Sequence, residues 1–371
     1  MRELFPPGGR HQTRKTGQDR YEMSVTVPAD ADGFRGHECP GTDCAPAYFK
    51  VKPGTGLSGR PEMYCPYCRT AGGVDKFFTQ EQIRYAEDEV LAEAKRGISA
   101  MLREAFTGGS AGHRPRGGPF SIEMTYREGP QEQVRPPREE PLRRDVVCPH
   151  CTLEQAVFGL ASWCSDCGND IFLVHVASEV QVLRVMLDAV PERREHLGVR
   201  VAARDIEDAL ENVVSVFEAV LKAITRRQLL AIGRSPADAD EILRREVRNG
   251  FQSVARAEPL FKTLAGIDLL ACLEARERQF LADAFEKRHP IAHNLGVVDK
   301  AYLTKSLSDA SEGREVALHA DEVRRALDLA ERILGSAYRT LFSPLALPAP
   351  KADSTPPPVT PPPQPPSDAT I

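Results

Sequence analysis

The stretch that decides the fold is VVCPHCTLEQAVFGLASWCSDCGNDIFLVHV, residues 146–176. Cys148 and Cys151 stand two residues apart, twelve residues follow, and Cys164 and Cys167 repeat the two-residue spacing. A tight knuckle presents two sulfurs to one ion, and tetrahedral zinc takes four thiolates. The spacing therefore predicts a zinc ribbon, with flanking strands at Val146-Val147 and Ile171-Phe172-Leu173-Val174. Upstream, Cys39-x4-Cys44 is followed after twenty residues by Cys65-x2-Cys68. Tyr48-Phe49-Lys50-Val51 and Glu62-Met63-Tyr64 supply strands for a second ribbon, and His37 is the alternative ligand to Cys39. Both sets use four sulfurs and leave no open coordination position, which marks structural rather than catalytic sites. Two structural zinc ions are expected, with none for catalysis. They would supply folding energy to segments too small to bury a core of their own. The ninth cysteine, Cys272, lies in an apolar helical stretch and reads as a small buried hydrophobe.

Working outward, the chain has 371 residues, 41% hydrophobic and 27% charged, with a formal net charge of −5. That length suggests two or three domains. No stretch approaches the roughly 18–20 uncharged apolar residues of a membrane span. The N-terminus has basic residues but no apolar core of a secretory signal. Together with cysteines paired for metal rather than disulfides, this predicts a cytoplasmic protein. The mildly acidic balance argues against a protein that coats nucleic acid indiscriminately.

The expected fold is mainly α: two small N-terminal four-cysteine zinc ribbons of β structure, then an all-α bundle, then a disordered Pro-rich tail. Residues 1–22 read as a disordered basic tail. Residues 23–107 hold the first ribbon and a helix opened by the capping box Thr79-x-x-Gln82. That helix has an apolar side of Ile83, Ala86, Val90, Leu91, Ala94, Ile98, Leu102 and Phe106. Residues 108–145 form a Gly/Pro/Arg-rich linker, with one strand-like alternation at 120–126. Residues 146–176 are the second ribbon.

From Ser178 the period becomes helical. Ser178-x-x-Gln181 is a second capping box, and Pro191 bounds its helix. Ile206, Leu210, Val213, Val214, Phe217, Val220, Leu221 and Ile224 make one apolar stripe. A third helix runs through Leu270, Leu273, Phe280, Leu281, Ala284 and Phe285, and a fourth through Val323, Ala326, Leu327, Ala330, Ile333, Leu334, Tyr338 and Leu341. Such narrow stripes must pack on each other, so residues 177–342 are expected to be one all-α domain. The tail 343–371 holds eleven of the thirty prolines and should be an extended, solvated segment.

Phosphate contacts need Lys or Arg. The second ribbon has neither, so it reads as a structural or protein-contact module, with Trp163 packed on the ribbon rather than stacked on a base. The first ribbon carries Arg35, Lys50, Lys52, Arg60, Arg69 and Lys76, diluted by Glu38, Asp43, Glu62 and Asp75. A protein partner would dock through ribbon 2 or the Pro-rich tail.

The third long helix ends in Arg288-His289-Pro290-Ile291-Ala292-His293-Asn294-Leu295-Gly296-Val297-Val298-Asp299. Pro290 disfavours helical geometry at His289 and can open a new turn. Residues five apart on a straight helix point about 140° away from each other. Arg288 and His293 can therefore meet on one phosphate only if the helix bends or two subunits contribute.

This stretch resembles the HEPN superfamily, helical and often dimeric domains of which many are metal-independent endoribonucleases. Their signature is Arg, four to six residues, then His, commonly with a polar residue after the Arg. The continuation from His293 through Asp299 to Tyr302-Leu303 is similar to bacterial members, and Phe217-Glu218 less specifically to their first helix. The resemblance covers residues 178–342. A second spacing match, Arg314 to His319, lacks the Asn-Leu-Gly context. The resemblance implies His293 as base for a ribose 2′-OH, Arg288 as the cation on the phosphate, and His289 or Asn294 as orienting groups. The product would be a 2′,3′-cyclic phosphate.

Two functions follow. One is a HEPN-type endoribonuclease acting on RNA as a homodimer, a toxin or defence effector. The other is a non-catalytic zinc-ribbon adaptor that dimerises through the helical domain. There Arg288 would pair with Glu286 or Asp283, and His293 and Asn294 would cap helices or join a dimer contact.

Overall fold

The computed structural model describes residues 4–5, 11–18, 20–57, 59, 61–107, 129, 133–141, 144–306 and 310–343. Most of the expected linker, the strand-like 120–126 and all but the first residue of the Pro-rich tail lie outside them. The chain is about 54% helical, with small antiparallel sheets toward the N-terminus. No helix among the described residues is long and apolar enough to cross a membrane.

Strands β1 (Gln12–Lys15) and β2 (Tyr21–Ser24) form a hairpin. This differs from the disorder expected for the residues of 1–22 that lie in these strands. Next come β3 (Arg35–Glu38), β4 (Tyr48–Val51), β5 (Glu62–Tyr64) and β6 (Ala71–Gly73). Helix α1 (Gln80–Thr107) follows, then β7 (Arg144–Val147) and β8 (Glu154–Val157).

The two ribbons are not separate. A four-stranded antiparallel sheet runs β3-β4-β8-β7, with Phe49 opposite Val157 and Val51 opposite Gln155. Phe49, Val51, Met63, Phe77, Val146, Leu153, Val157, Ala161 and Ile171 share one small core with the cysteines. Each segment alone is too short to exclude water from a core. Pairing β4 with β8 pools their apolar faces. Gln155, fully buried, completes the join: its amide donates to Trp163 O at 3.2 Å and accepts from Ser165 N–H at 2.8 Å.

The Thr79 capping box forms as expected, with both reciprocal bonds at 3.2 Å. The face that α1 buries is not its apolar one. Gln82, Glu89 and Glu93 are buried, whereas Ile83, Val90, Leu91, Ile98 and Leu102 are exposed. Specific polar bonds decide this orientation. Gln82 donates to Gly36 O at 2.7 Å, and His11 lies 3.0 Å from Glu89.

From residue 172 onward the described chain is helical. Helix α2 (Phe172–Asp188) starts six residues before the Ser178 capping box, and takes in the stretch expected as a ribbon strand. Asp170 Oδ1 accepts the Phe172 N–H at 3.0 Å, just before the helix, where its charge suits the helix N-terminus. Phe172, His175, Val176, Val180, Leu183 and Leu187 are buried at helical spacing. Helices α3 (Val190–Leu197) and α4 (Val199–Ala231) follow. The expected stripe of α4 from Leu210 to Ile224 is buried. α5 (Pro236–Ile242), α6 (Val254–Ala265) and α7 (Ala275–Glu286) come next. α8 (Arg288–Asn294), α9 (Lys300–Lys305) and α10 (Ala320–Phe342) are the last described helices. α4 packs against α2, α3, α6 and α10, and the apolar stripes of α2, α4, α6, α7 and α10 close a core distinct from that of the ribbons. Leu270 and Leu273 precede α7 rather than lying in it, because Glu274 and Glu277 form a capping box there. Cys272 is half-buried against this core.

Candidate functional site

The eight paired cysteines fall into two groups, Cys39, Cys44, Cys65, Cys68 and Cys148, Cys151, Cys164, Cys167. Within each, all ligand atoms lie within 4.8 Å of one another. Every pair sits at a hairpin turn: β3–β4, β5–β6, β7–β8, and the bridge that pairs Trp163 with Asp170. The first sulfur of each pair accepts a backbone N–H from two residues on, at 3.4 Å: Gly41, Tyr67, His150 and Asp166. After the three two-residue knuckles, Arg69, Thr152 and Gly168 take positive φ, near 64°, 63° and 66°. Their N–H groups return to the carbonyls of Cys65, Cys148 and Cys164. The turn thus repeats three times and aims its sulfurs inward.

The sulfur spacing discriminates between metal and disulfide. Cys39–Cys68 is 3.5 Å, Cys44–Cys65 3.6 Å, Cys148–Cys167 3.7 Å and Cys151–Cys164 3.4 Å. A disulfide needs about 2.05 Å. Thiolates at about 2.3 Å from a tetrahedral ion stand about 3.8 Å apart. The observed spacing fits an ion at the centre of each group, and the donor set fits a soft or borderline metal. Without a cation, sulfur-to-sulfur hydrogen bonds draw Cys68 below the ordinary thiol range and drive Cys44 above it. His37 is not a ligand. It is buried, stacked on Phe49 with ring centres 5.7 Å apart, and burial pushes its pKa down to about 4.

The Arg-His element occupies the α7–α8 junction. Lys287 keeps right-handed helical dihedrals, so the break is shallow. Pro290 sits in the first turn of α8, where a missing N–H costs nothing. Arg288 does not pair with Glu286 or Asp283. Its Nη1 donates to Gln252 Oε1 at 3.0 Å. The Gln252 amide donates in turn to Glu218 Oε2 at 2.7 Å, while Lys222 holds Glu218 Oε1 at 2.6 Å. Glu286 instead accepts from Ser253 at 3.0 Å. Among the described residues, no carboxylate neutralises the half-buried Arg288.

His289 and His293 lie edge to face, with ring centres 5.1 Å apart. His289 Nε2 is 4.0 Å from Asp299 Oδ2. Asn294 donates to Val297 O at 2.8 Å, just past the helix end, which is a helix-terminating contact. Leu295 follows with positive φ and is 83% exposed. The structure therefore brings His289 to His293, and gives Arg288 and His293 different partners. Gln252 and Glu218 join the element across the fold. Gln252 carried no signal in the sequence, since it lies in a short 3-10 turn, Gly250–Gln252, without a motif. The Arg314–His319 pair is divided. His319 caps α10, whereas the backbone of Arg314 bonds to Val298. No family model, no curated protein and no solved structure matches the chain, so any assignment of function rests on these residues.

Proposed function

We propose that this chain is a metal-independent endoribonuclease of HEPN type that acts as a homodimer, with a structural zinc ion in each four-cysteine group. The observation that carries it is the Arg288 guanidinium, half-buried and held by a neutral amide with no carboxylate of its own among the described residues. A guanidinium held by a neutral amide keeps its donors and its charge for a phosphodiester oxygen. The resemblance of residues 288–303 to HEPN domains supports the same reading.

In this mechanism His293 takes the proton from a ribose 2′-OH as that oxygen attacks the adjacent phosphorus. Arg288 stabilises the charge on the phosphorane oxygens through two N–H donors. The P–O5′ bond breaks and the leaving oxygen takes a proton from water, with His289 orienting the phosphate. The products are a 2′,3′-cyclic phosphate and a 5′-hydroxyl. Because Arg288 and His293 lie five apart on one short helix, the Arg288 of one copy would act with the His293 of its partner.

The second reading, a non-catalytic adaptor, is favoured by a specific contact: Asn294 terminates α8 rather than facing a substrate. Labelled RNA incubated with the protein and no added divalent metal separates the two. Cyclic phosphate ends, lost in His293→Ala with the helical circular dichroism intact, support the nuclease. Intact RNA across diverse sequences supports the adaptor. Chelation is a poor control, because removing zinc unfolds ribbons.

A further inference from the structure

Trp163, the sole tryptophan of the chain, joins three parts of the molecule. Its N–H and that of Ser162 donate to Pro66 O at 3.1 and 2.8 Å, inside the Cys65–Cys68 knuckle. Ser165 O accepts the Tyr64 N–H at 2.8 Å from the same hairpin. Trp163 itself directly precedes Cys164 and is bridged to Asp170 beyond Cys167. One side-chain position is therefore framed by both four-cysteine groups.

Two guanidinium groups lie over its indole. Arg69, the residue after Cys68, stands 4.4 Å from the ring centre. Arg227, from α4, stands 4.5 Å away. Arg227 also donates to Asp170 at 2.8 Å and to the Tyr338 hydroxyl of α10. Tyr338 donates to Asp170 at 2.5 Å and stacks on Phe172 with ring centres 4.6 Å apart. Arg227 lies over Phe342 as well, at 4.4 Å. An arginine held in this aromatic cage needs its carboxylate and its rings together. The carboxylate and the indole both come from the two ends of one metal turn, Cys164–Cys167.

We infer that Trp163 is a metal-dependent latch between the ribbons and the helical bundle. Metal in the two four-cysteine groups fixes Pro66, Trp163 and Asp170. These hold Arg227, and Arg227 ties the C-terminal part of α4 to α10. Metal loss lets the Trp163–Asp170 turn open, frees Arg227, and loosens the α4–α10 end at Tyr338. The latch does not depend on the ribonuclease reading.

The sole tryptophan reports on the latch directly. Full-length protein is measured with zinc bound and after chelation, with thiol titration to confirm that the cysteines are free. The expected result is a red shift of Trp163 emission on chelation and a lower melting temperature for the helical signal. Emission and helix melting both unchanged once the thiols are free would overturn the latch. A second measurement avoids the risk that the stripped ribbons aggregate. Arg227→Met, with zinc content unaltered, should lower the helical melting temperature by about 2–4 °C or more and shift Trp163 emission. An Arg227→Met protein with unchanged emission and unchanged helix melting would also overturn it.

Discussion

Arg288 and Gln252, distant in sequence, are joined by a 3.0 Å hydrogen bond in which the guanidinium donates to the amide oxygen. The amide nitrogen is already committed to Glu218, so the oxygen can face only one way. Gln252 thus orients the cation without cancelling its charge. Gln252→Glu places a carboxylate on Arg288 and also removes the N–H that Glu218 accepts. The expected outcome is a fall in kcat/KM on labelled RNA of about tenfold or more, about 1.4 kcal/mol of transition-state stabilisation, with helix content unchanged. An unaltered rate would show that the charge on Arg288 is not used.

Because β4 pairs with β8, the two four-cysteine groups share one core. Cys151→Ser should lower bound metal from two ions per chain to one and also weaken amide-exchange protection in β3 and β4. Loss of protection confined to β7 and β8 would mean that the ribbons fold independently.

Gln155 is fully buried and makes two hydrogen bonds to the Trp163–Ser165 turn. Gln155→Ala leaves a buried carbonyl and a buried N–H without partners. A loss of about 1–3 kcal/mol is expected, read from denaturant midpoints by chemical unfolding. A change within experimental scatter would show that water replaces the amide.

His175 is fully buried, and its Nδ1 accepts the Ala161 N–H at 2.8 Å, which leaves the ring proton on Nε2. Nε2 lies 3.6 Å from Glu179, and Arg144 lies 3.5 Å from the same carboxylate. The His175 ring foremost, then the Arg144 charge, hold the Glu179 carboxyl below the ordinary range. The unfolded chain therefore binds this proton at higher pH than the folded one. The contribution is intact above the unfolded value, about pH 4.3, and is lost as pH falls through the lower folded value. Glu179→Gln should flatten the acid limb of a stability–pH curve. An identical limb in the variant would place the acid sensitivity elsewhere.

What the sequence disclosed was local. The cysteine spacing encodes the turns, because a two-residue knuckle has only one way to aim two sulfurs inward. Thr79 and Gln82 mark the start of α1 because a reciprocal cap spans only three residues. The stripe from Leu210 to Ile224 marks α4 because its burial is periodic. What stayed hidden was set by partners distant in the chain. β4 and β8 meet across roughly a hundred residues, and neither strand carries a mark of the other. Phe172 begins a helix with its N–H held by Asp170, although Ile171–Val174 alone is equally apolar in either conformation. In α1 the exposed apolar side misleads, since Gly36 and His11 choose the polar side. Arg288 and His293 were legible as residue types, but the amide that holds Arg288 was not.

The most direct test of the ribonuclease account mixes two inactive variants. Arg288→Ala and His293→Ala, each alone, should leave labelled RNA intact. If each site takes its arginine from one protomer and its histidine from the other, subunit exchange creates mixed dimers with one complete site. The account predicts that the mixture regains part of the parent activity, with cyclic phosphate ends. A mixture as inactive as either variant, after exchange is confirmed, would contradict it.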